Sequence, residues 1–258
     1  MIKSIEVIGC GGAFDTEMIN SSFLINTLNE SILFDCGYNV FTKLKELEKD
    51  RPNIIKDISY VIISHLDDDH VGSLKSFLYY RYFTYGLTTT IIGRENTLKF
   101  LDGINKKMEG FRFVEANIYK TNIVYNESFF NIDKLDNISF KSISGIHHIE
   151  TSGILIRDSE KIILISGDTK STCNFSNNIK KNSEIMKVPF GANALIFHDY
   201  SPWNAPSRNV HATDNCMESE YPEWFRNKMI KYHFSTCDIE GNIYKFNSKE
   251  KKWYLENA

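Results

Sequence analysis

The segment ISHLDDDHVGSL, residues 63–74, constrains the fold more than any other part of the chain. The apolar run ISYVIIS is typical of a buried strand, and it leads into His65 and His70 with three aspartates between them. Neighbouring carboxylates repel one another unless water or a cation offsets their charge. The fold must therefore place this strand end where solvent or a metal ion can reach it.

Histidine and aspartate recur where other predicted strands begin or end, and loops at strand ends are where sites are usually built. Imidazole nitrogen and carboxylate oxygen are ligands of divalent cations. Each residue also has a structural alternative, because a single histidine is usually a hydrogen-bonding partner and an aspartate run is usually a solvated turn or a helix cap. Together they favour a site for one cation or for two neighbouring ones. The further residues are His147, His148, Asp168, His198, Asp199 and His233.

The order of the predicted elements indicates the fold class. Short β-rich runs such as SIEVIG, SSFLIN and SILFDCG open the chain, and a strand–helix unit occurs in each half. NVFTKLKELEKD and VGSLKSFLYYRYF have apolar residues near helical spacing, and ESEYPEWFRNKMIKYH is predicted as one helix ending at His233. Without strict βαβ alternation, this predicts an α/β (α+β) fold: an αββα sandwich of two packed mixed sheets flanked by helices. With no linker or low-complexity tract, residues 1–258 are predicted to form a single domain.

Composition excludes some function classes. The chain is 42 % hydrophobic, which suffices for a large core, and its net charge of −3 gives no general attraction to nucleic acid or to an anionic membrane. No apolar run approaches the roughly 18 residues of a membrane span, and the start of the chain does not resemble a signal peptide. Five cysteines without a CxxC pair predict a reduced, cytoplasmic setting.

These motifs, in this order, resemble those of the metallo-β-lactamase superfamily. The family signature is H-x-H-x-D-H after a buried strand, and His65-Leu66-Asp67-Asp68-Asp69-His70 matches it except that Asp67 replaces the second histidine. NSSFLI with ILFDCG, HHIETSG, ISGDT and KYHFST resemble the family's other site segments. LIFHDYS, NVHAT and KMIKYHFS run in the order used by the branch of ribonuclease Z and small phosphodiesterases.

The resemblance implies two divalent metal ions, with zinc as the leading candidate and manganese as the alternative. His147 is preferred to His148 as a ligand because it stands six residues before Gly153, as the family histidine does. Asp67 provides an anionic oxygen in place of a neutral nitrogen, which favours harder ions such as manganese or weakens zinc at that site. One ion would be held by His65, Asp67 and His147, the other by Asp69, His70 and His233, with Asp168 between them.

In this family a metal-activated hydroxide attacks phosphorus, so the resemblance also implies catalytic roles. Asp69 would orient the nucleophile or accept its proton, and His211 in NVHAT would protonate the leaving alkoxide with support from His198. The 20 residues between His147 and Asp168 leave no room for the arm with which ribonuclease Z grips transfer RNA. The expected substrate is therefore a small phosphodiester, and a cyclic nucleotide leads.

Two alternatives remain open from the sequence. One is a hydrolase of the same fold that acts on a lactam, thioester or lactone. The other is a non-catalytic nucleotide-binding relative, in which Asp67 marks a decayed centre. The branch commonly forms homodimers, and the aromatic helix predicted near residues 74–85 is the candidate contact.

Three weaker features have structural alternatives that the sequence favours. GCGG, residues 9–12, lacks a phosphate-loop pattern and is predicted as a tight turn. Asn20 and Ser22 could contact phosphate, although a turn role is favoured. Cys173 follows Asp168 by five residues and could approach the metals.

Overall fold

Runs of β-branched and aromatic residues form most of the strands that the sequence predicts. The computed structural model describes residues 1–95, 97–99, 119–124, 130–132, 135, 137–170, 193–202, 210–234 and 236–256. Cys173 lies outside the described residues. The strands are β1 (Ile2–Gly9), β2 (Ser22–Thr27), β3 (Ser31–Phe34), β4 (Ile58–Ile62), β5 (Thr89–Gly93), β6 (Tyr119–Val124), β7 (Phe130–Asn131), β8 (Ser139–Ser144), β9 (Ser152–Arg157), β10 (Ile162–Ile165), β11 (Ala194–Asp199), β12 (Met229–Tyr232), β13 (Ile243–Asn247) and β14 (Lys252–Glu256).

Helices follow several of these strands. The segment predicted as one helix over VGSLKSFLYYRYF is divided into a short helical turn and a longer helix, which ends at Gly86 with a left-handed φ of 67°. None of the helices in the described ranges has the length and apolar character needed to cross a bilayer. The helices are α1 (Val40–Leu47), α2 (Ile54–Asp57), α3 (Asp68–Val71), α4 (Leu74–Tyr85), α5 (Asp214–Glu220) and α6 (Glu223–Arg226).

The strands form two mixed sheets. The first has the order β14-β13-β1-β2-β3-β4-β5-β6, with parallel pairing from β3 to β6 and antiparallel pairing elsewhere. The second has the order β12-β11-β10-β9-β8-β7, with parallel pairing from β10 to β12. In both sheets the parallel strands leave their carboxyl ends on one edge, where the predicted site residues follow them.

The sheets pack face to face, and helices cover their outer faces. Phe23 of β2 and Phe197 of β11 meet across the central core with ring centroids 4.7 Å apart. Phe77 of α4 packs with the outer face of the first sheet, and Phe225 of α6 packs with that of the second. The predicted αββα sandwich is therefore confirmed.

One element prediction was wrong. The segment ESEYPEWFRNKMIKYH forms α6 and β12, with the end of α5 before them, and is not one helix. Pro222 has extended backbone at the start of α6, so it separates α6 from α5. Met229–Tyr232 then pairs in parallel with β11, in the register Ile196 to Met229, and this pairing decides its strand conformation.

Candidate metal centre

The predicted ligands converge at the edge where the parallel strands of both sheets end. His65 follows β4, Asp168 follows β10 and His233 follows β12. These side chains are at most 3 % exposed, so the histidine and aspartate side chains face one another in the interior. Residues more than 160 positions apart in the chain are thereby brought into one cluster.

The four residues predicted for the second ion form one buried group. Asp69, His70, Asp168 and His233 each offer a ligand atom, and these atoms lie within 4.8 Å of one another. Nε2 of His70 is 3.2 Å from Oδ2 of Asp69 and 3.3 Å from Oδ1 of Asp168. Nε2 of His233 is 3.1 Å from Oδ2 of Asp168. Two imidazoles and two carboxylates thus surround one point.

Two of the residues predicted for the first ion belong to an adjoining group, and the third, Asp67, forms a separate group with His147 and His148. His65, His147 and Asp168 place ligand atoms within 4.8 Å of one another, so the two groups share Asp168. Oδ2 of Asp67 lies 3.3 Å from Nε2 of both His65 and His147 and 3.2 Å from Nε2 of His148. The side chain of His147 is 2 % exposed and that of His148 is 50 % exposed. This difference favours His147 over His148 as the ligand.

Several atoms in these groups lack the hydrogen bonds that buried polar atoms normally make. Among the described residues, Nε2 of His65, Nε2 of His70, Oδ2 of Asp69 and Oδ1 of Asp168 are buried without a hydrogen-bond partner. Each such atom costs about 1–3 kcal/mol when left unpaired. Because these atoms face one another and belong to the residue types that bind divalent cations, the donor set fits a metal ion.

Hydrogen bonds from neighbouring side chains orient the rings of the ligands. Nδ1 of His70 lies 2.8 Å from Oδ2 of Asp35, and Asp35 also accepts bonds from the backbone N–H and the hydroxyl of Ser64. Nδ1 of His233 lies 3.2 Å from the hydroxyl oxygen of Ser21. These contacts direct each Nε2 towards the carboxylates, as outer partners of metal-bound histidines do.

Close backbone packing explains why glycine follows Cys36 in ILFDCG. A Cβ atom on Gly37 would lie 1.9 Å from the carbonyl oxygen of Asp69. The backbone N–H of Cys36 donates a 2.7 Å hydrogen bond to the carbonyl of His70. The turn after β3 therefore supports the backbone of α3 directly, and it fixes where Asp69 and His70 stand.

The buried charges shift the pKa values of the cluster. Burial alone would raise the pKa of Asp168, but His233, His70 and His65 lower it well below the usual range. Burial lowers the pKa of His147 and also that of His233. Anionic carboxylates beside neutral imidazoles are the protonation states that metal ligation needs.

His70 differs from the other two imidazoles. Burial lowers its pKa, but Asp168 and Asp35 outweigh burial and raise the pKa well above the usual value. The carboxylates therefore create a negative potential that favours a positive charge at this position, whether a proton or a metal cation.

A second carboxylate–imidazole pair adjoins the cluster. Nδ1 of His211 lies 2.9 Å from Oδ2 of Asp199 and 3.8 Å from Oδ2 of Asp168. The backbone N–H of Thr169 donates a 2.8 Å bond to the same Asp199 oxygen. Burial lowers the pKa of His211, but Asp199 and Asp168 raise it to about 9. The ring is thus held in place by Asp199, and the two carboxylates favour its protonated form.

Comparison with known proteins identifies the family. The family model for anti-Pycsar protein Apyc1 matches residues 3–250. The chain belongs to the Apyc1 family. It is similar to an anti-Pycsar protein Apyc1 of Paenibacillus sp. (strain J14), with 28 % identity over 38 % of this chain and 39 % of the relative. The matched part spans about a third to two fifths of the length of the first curated relatives.

Solved structures share the fold of this Apyc1 family member. The metallo-β-lactamase fold protein YhfI from Bacillus subtilis aligns with a TM-score of 0.66 at 18 % identity, over 91 % of this chain and 87 % of YhfI. Human tRNase Z, short form, aligns with a TM-score of 0.69 at 17 % identity, over 93 % of this chain and 98 % of that protein. The chain therefore has the metallo-β-lactamase fold.

The Apyc1-family chain carries a cleft directly above the clusters. It has a volume of ≈ 320 Å³, in the range of sites for small ligands, and Asp67, Asp69, His147, Asp168, His211 and His233 are among its lining residues. A neighbouring cleft of ≈ 410 Å³ shares His211 and His233. The catalytic candidates Asp69 and His211 therefore lie beside the ligands, on the wall that a substrate would meet.

Other sequence candidates have structural roles. His198 is buried, with Nε2 3.1 Å from the hydroxyl of Tyr221 and Nδ1 2.7 Å from the carbonyl of Asp199. The amide of Asn20 donates to the carbonyl of Gly12, and the hydroxyl of Ser22 donates to the carbonyl of Asp35. The structural alternatives are favoured for all three residues.

Three residues orient side chains of the site in ways that the sequence did not predict, although Asp199 was already among the strand-end candidates. Asp35 and Ser21 orient ligand histidines, and Asp199 holds His211. A weak signal existed for Asp35 and Asp199, because each is an aspartate at the end of an apolar strand. No pattern distinguishes Ser21 from an ordinary turn serine.

Proposed function

We propose that the protein is a metal-dependent phosphodiesterase that hydrolyses a small phosphodiester, with a cyclic nucleotide as the leading substrate. The observation that carries the proposal is the pair of histidine–aspartate groups that share Asp168 beneath the ≈ 320 Å³ cleft. Membership of the Apyc1 family supports it. The cleft lies beside His211, which supplies a proton donor suited to an alkoxide leaving group.

The proposed cofactors are two divalent metal ions. Zinc is the leading candidate because it commonly takes both imidazole and carboxylate ligands, and manganese is the alternative because Asp67 adds a hard oxygen donor. The assignment is supported by the two overlapping groups of ligand atoms and by their unpaired buried atoms. The first ion would be held by His65, Asp67 and His147, the second by Asp69, His70 and His233, with Asp168 between them.

Two divalent ions, when bound, would neutralise charge on a phosphodiester and lower the pKa of water. The chain's own groups have separate roles. Asp69 orients the attacking water and accepts its proton. His211, held by Asp199, donates a proton to the leaving alkoxide through its other ring nitrogen, Nε2. The proposed proton donor thus stands beside the ligands.

A small substrate fits this geometry better than transfer RNA. Between His147 and Asp168 the chain forms β9 and β10, joined by a short turn at Asp158. This is the interval in which the sequence leaves no room for a transfer RNA arm. The cleft volume of ≈ 320 Å³ likewise suits a mononucleotide-sized ligand.

The decisive experiment is turnover of a substrate panel by the full chain loaded with zinc or manganese. The panel contains cyclic mononucleotides, cyclic dinucleotides, bis(p-nitrophenyl) phosphate, nitrocefin and a thioester. We expect cyclic nucleotides to be opened to linear phosphomonoesters, with loss of turnover in Asp168→Asn and normal turnover in the exposed control Asp50→Asn. Turnover of nitrocefin or the thioester without any phosphodiester would refute the proposal, and nucleotide binding without metal or cleavage would support the non-catalytic alternative.

We also propose a single domain over residues 1–258, a cytoplasmic setting and a homodimer. Both sheets supply residues of one site, which supports a single domain. The four described cysteines form no disulfide, which supports a reducing compartment.

Phe83 on α4 is 55 % exposed beside Tyr79 and Tyr82, which supports α4 as the dimer contact. Sedimentation of Phe83→Glu against the wild type tests the dimer.

A further inference from the structure

Phe14 is the most exposed large apolar side chain of the described residues. Its side chain is 99 % accessible to solvent, so it buries almost no area against the folded chain. An exposed aromatic ring gains its hydrophobic free energy only when another molecule covers it. The fold itself therefore gives no reason for phenylalanine at this position.

Phe14 stands at the rim of the metal centre. It lines both the ≈ 320 Å³ cleft above the ligands and the adjoining ≈ 410 Å³ cleft. Two residues earlier, a Cβ atom on Gly12 would lie 3.5 Å from Nε2 of His233. Consecutive Cα atoms are about 3.8 Å apart, so the Cα of Phe14 lies within roughly 8 Å of that of Gly12.

Hydrogen bonds hold the loop that carries Phe14. At its base, the backbone N–H of Gly11 donates to the carbonyl of Ile19 at 2.8 Å. Beyond Phe14, Oδ1 of Asp15 accepts the backbone N–H groups of Glu17 at 2.9 Å and Met18 at 3.0 Å. The ring is thus presented by an ordered loop, which reduces the entropy lost when a ligand covers it.

We infer that Phe14 is the platform on which the nucleobase of the substrate stacks while its phosphodiester lies over the metal ligands. This inference rests on the proposed function and names the residue that recognises the base. The position of the ring argues for this occupant: Phe14 lines the same cleft as Asp168 and His233, so a ligand whose phosphate faces those two residues can reach the ring with its base. A neutral ring suits an uncharged, flat heteroaromatic base.

The test compares substrates with and without a base. Wild type and Phe14→Ala are assayed with cyclic AMP, cyclic UMP and the abasic ribose 3′,5′-cyclic phosphate. Stacking on an aromatic side chain is worth enough that Phe14→Ala should lower kcat/KM for both nucleotides by roughly 5- to 150-fold, mainly through KM. Turnover of the abasic compound should remain within about twofold, because it has no base to stack.

Two further variants define the contribution of the ring. Phe14→Trp keeps an aromatic face and should retain most of the wild-type activity towards the nucleotides. Phe14→Leu keeps apolar bulk without that face and should lose activity as Phe14→Ala does. Tyr254→Ala, which removes an exposed aromatic side chain on β14 that lines neither cleft, should change nothing.

The outcomes separate this inference from the proposed function. Suppose that the wild type cleaves cyclic nucleotides. If Phe14→Ala cleaves them equally well, or if it loses as much activity on the abasic compound as on the nucleotides, the stacking role of Phe14 is refuted and the proposed phosphodiesterase activity is not. If the wild type cleaves nothing, the proposed function fails. Calorimetric binding of the nucleotides to metal-loaded wild type and Phe14→Ala then still tests the platform. A change from dimer to monomer in Phe14→Ala would instead assign the ring to a second copy of the chain and refute the platform.

Discussion

At the scale of single residues, Asp67 is the departure from the family signature, and three imidazoles surround its carboxylate at 3.2–3.3 Å. Burial raises the pKa of Asp67, but His65 and His148 lower it below the usual range, so it presents an anionic oxygen. We predict that Asp67→His raises the ratio of zinc affinity to manganese affinity by roughly tenfold or more, because nitrogen replaces a hard oxygen donor. Chelator competition with each metal measures the ratio.

The matched control is Asp68→His, which introduces the same imidazole one position along. Asp68 hydrogen-bonds to the hydroxyl of Tyr38 and lies outside both ligand groups. An equal change in the metal ratio in both variants would mean that any added histidine nearby binds zinc, and the assignment of Asp67 would then be wrong.

The effect of replacing His211 on kcat should depend on the leaving group of the substrate. We predict that His211→Ala lowers kcat for a cyclic nucleotide by about 10²- to 10⁴-fold, because the leaving alkoxide needs a proton. Bis(p-nitrophenyl) phosphate should be affected far less, because nitrophenolate departs without one. Steady-state kinetics on both substrates measure the difference.

Asp199→Asn should show the same substrate dependence with a smaller loss, because Asp199 acts only by holding His211. Equal losses of His211→Ala on the two substrates would contradict a proton-donor role and indicate that the ring only shapes the cleft.

The sequence could predict which residues come together in the candidate metal centre, but it could not predict all of the contacts that orient them. His65 and Asp168 were predictable because each follows a predicted strand, and parallel strands bring their ends to one edge. His233 was expected only from the resemblance of KYHFST, because the strand before it was predicted as a helix. The sequence preferred His147 to His148 only through the resemblance, by its spacing to Gly153, whereas the different burial of the two side chains depends on how the loop folds. Ser21 acts on His233 from 212 positions away, and only the folded chain brings the two together.

At the scale of elements, the turn between β9 and β10 ties the two sheets together. Oδ2 of Asp158 accepts a 2.9 Å bond from the backbone N–H of Ile2 at the start of β1, and Oδ1 accepts the N–H groups of Glu160 and Lys161. Burial alone would raise the pKa of Asp158, but these bonds lower it. A carboxylate with a lowered folded-state pKa stabilises the fold above the unfolded-state pKa of about 3.9 and loses that contribution as the pH falls through the folded-state pKa.

We therefore predict that Asp158→Asn lowers the free energy of unfolding by about 1–3 kcal/mol at pH 7. The difference from the wild type should begin to shrink as the pH falls below the unfolded-state pKa of about 3.9, and it should approach zero only below the lowered folded-state pKa, where the wild-type carboxyl is neutral in both states. Urea unfolding across this pH range measures it, with Asp50→Asn as the exposed control. A difference that persists unchanged in acid would show that shape, and not charge, makes the turn stable.

Strand β12 shows where element prediction from sequence fails. Its four residues, Met229–Tyr232, are too few for a periodic pattern, and they follow a proline-initiated helix that extends the helical pattern. Pairing with β11 supplies their hydrogen bonds and fixes His233 at its end. By contrast, Ala194–Asp199 was predictable because its apolar run is longer and is bounded by polar residues.

At the scale of the whole molecule, the ligand set joins the two sheets. His65, Asp69 and His70 follow β4 of the first sheet, whereas Asp168 and His233 follow strands of the second. A metal ion bound by both sets would cross-link the sheets, and the unfolded chain would lose this arrangement. Metal binding should therefore stabilise the entire sandwich and not only the site.

We predict that removing metal with a chelator lowers the Tm of the full chain. At free metal about 1,000 times the Kd the stabilisation is about 4 kcal/mol, which for a chain of this size corresponds to a shift of roughly 8–16 °C. Calorimetry with and without chelator measures the shift, and re-addition of metal should restore it. Asp168→Asn removes the ligand shared by both groups, so its Tm should respond much less to chelator. Chelation that strips bound metal, as measured by elemental analysis, without lowering the wild-type Tm would contradict a site that joins the two sheets.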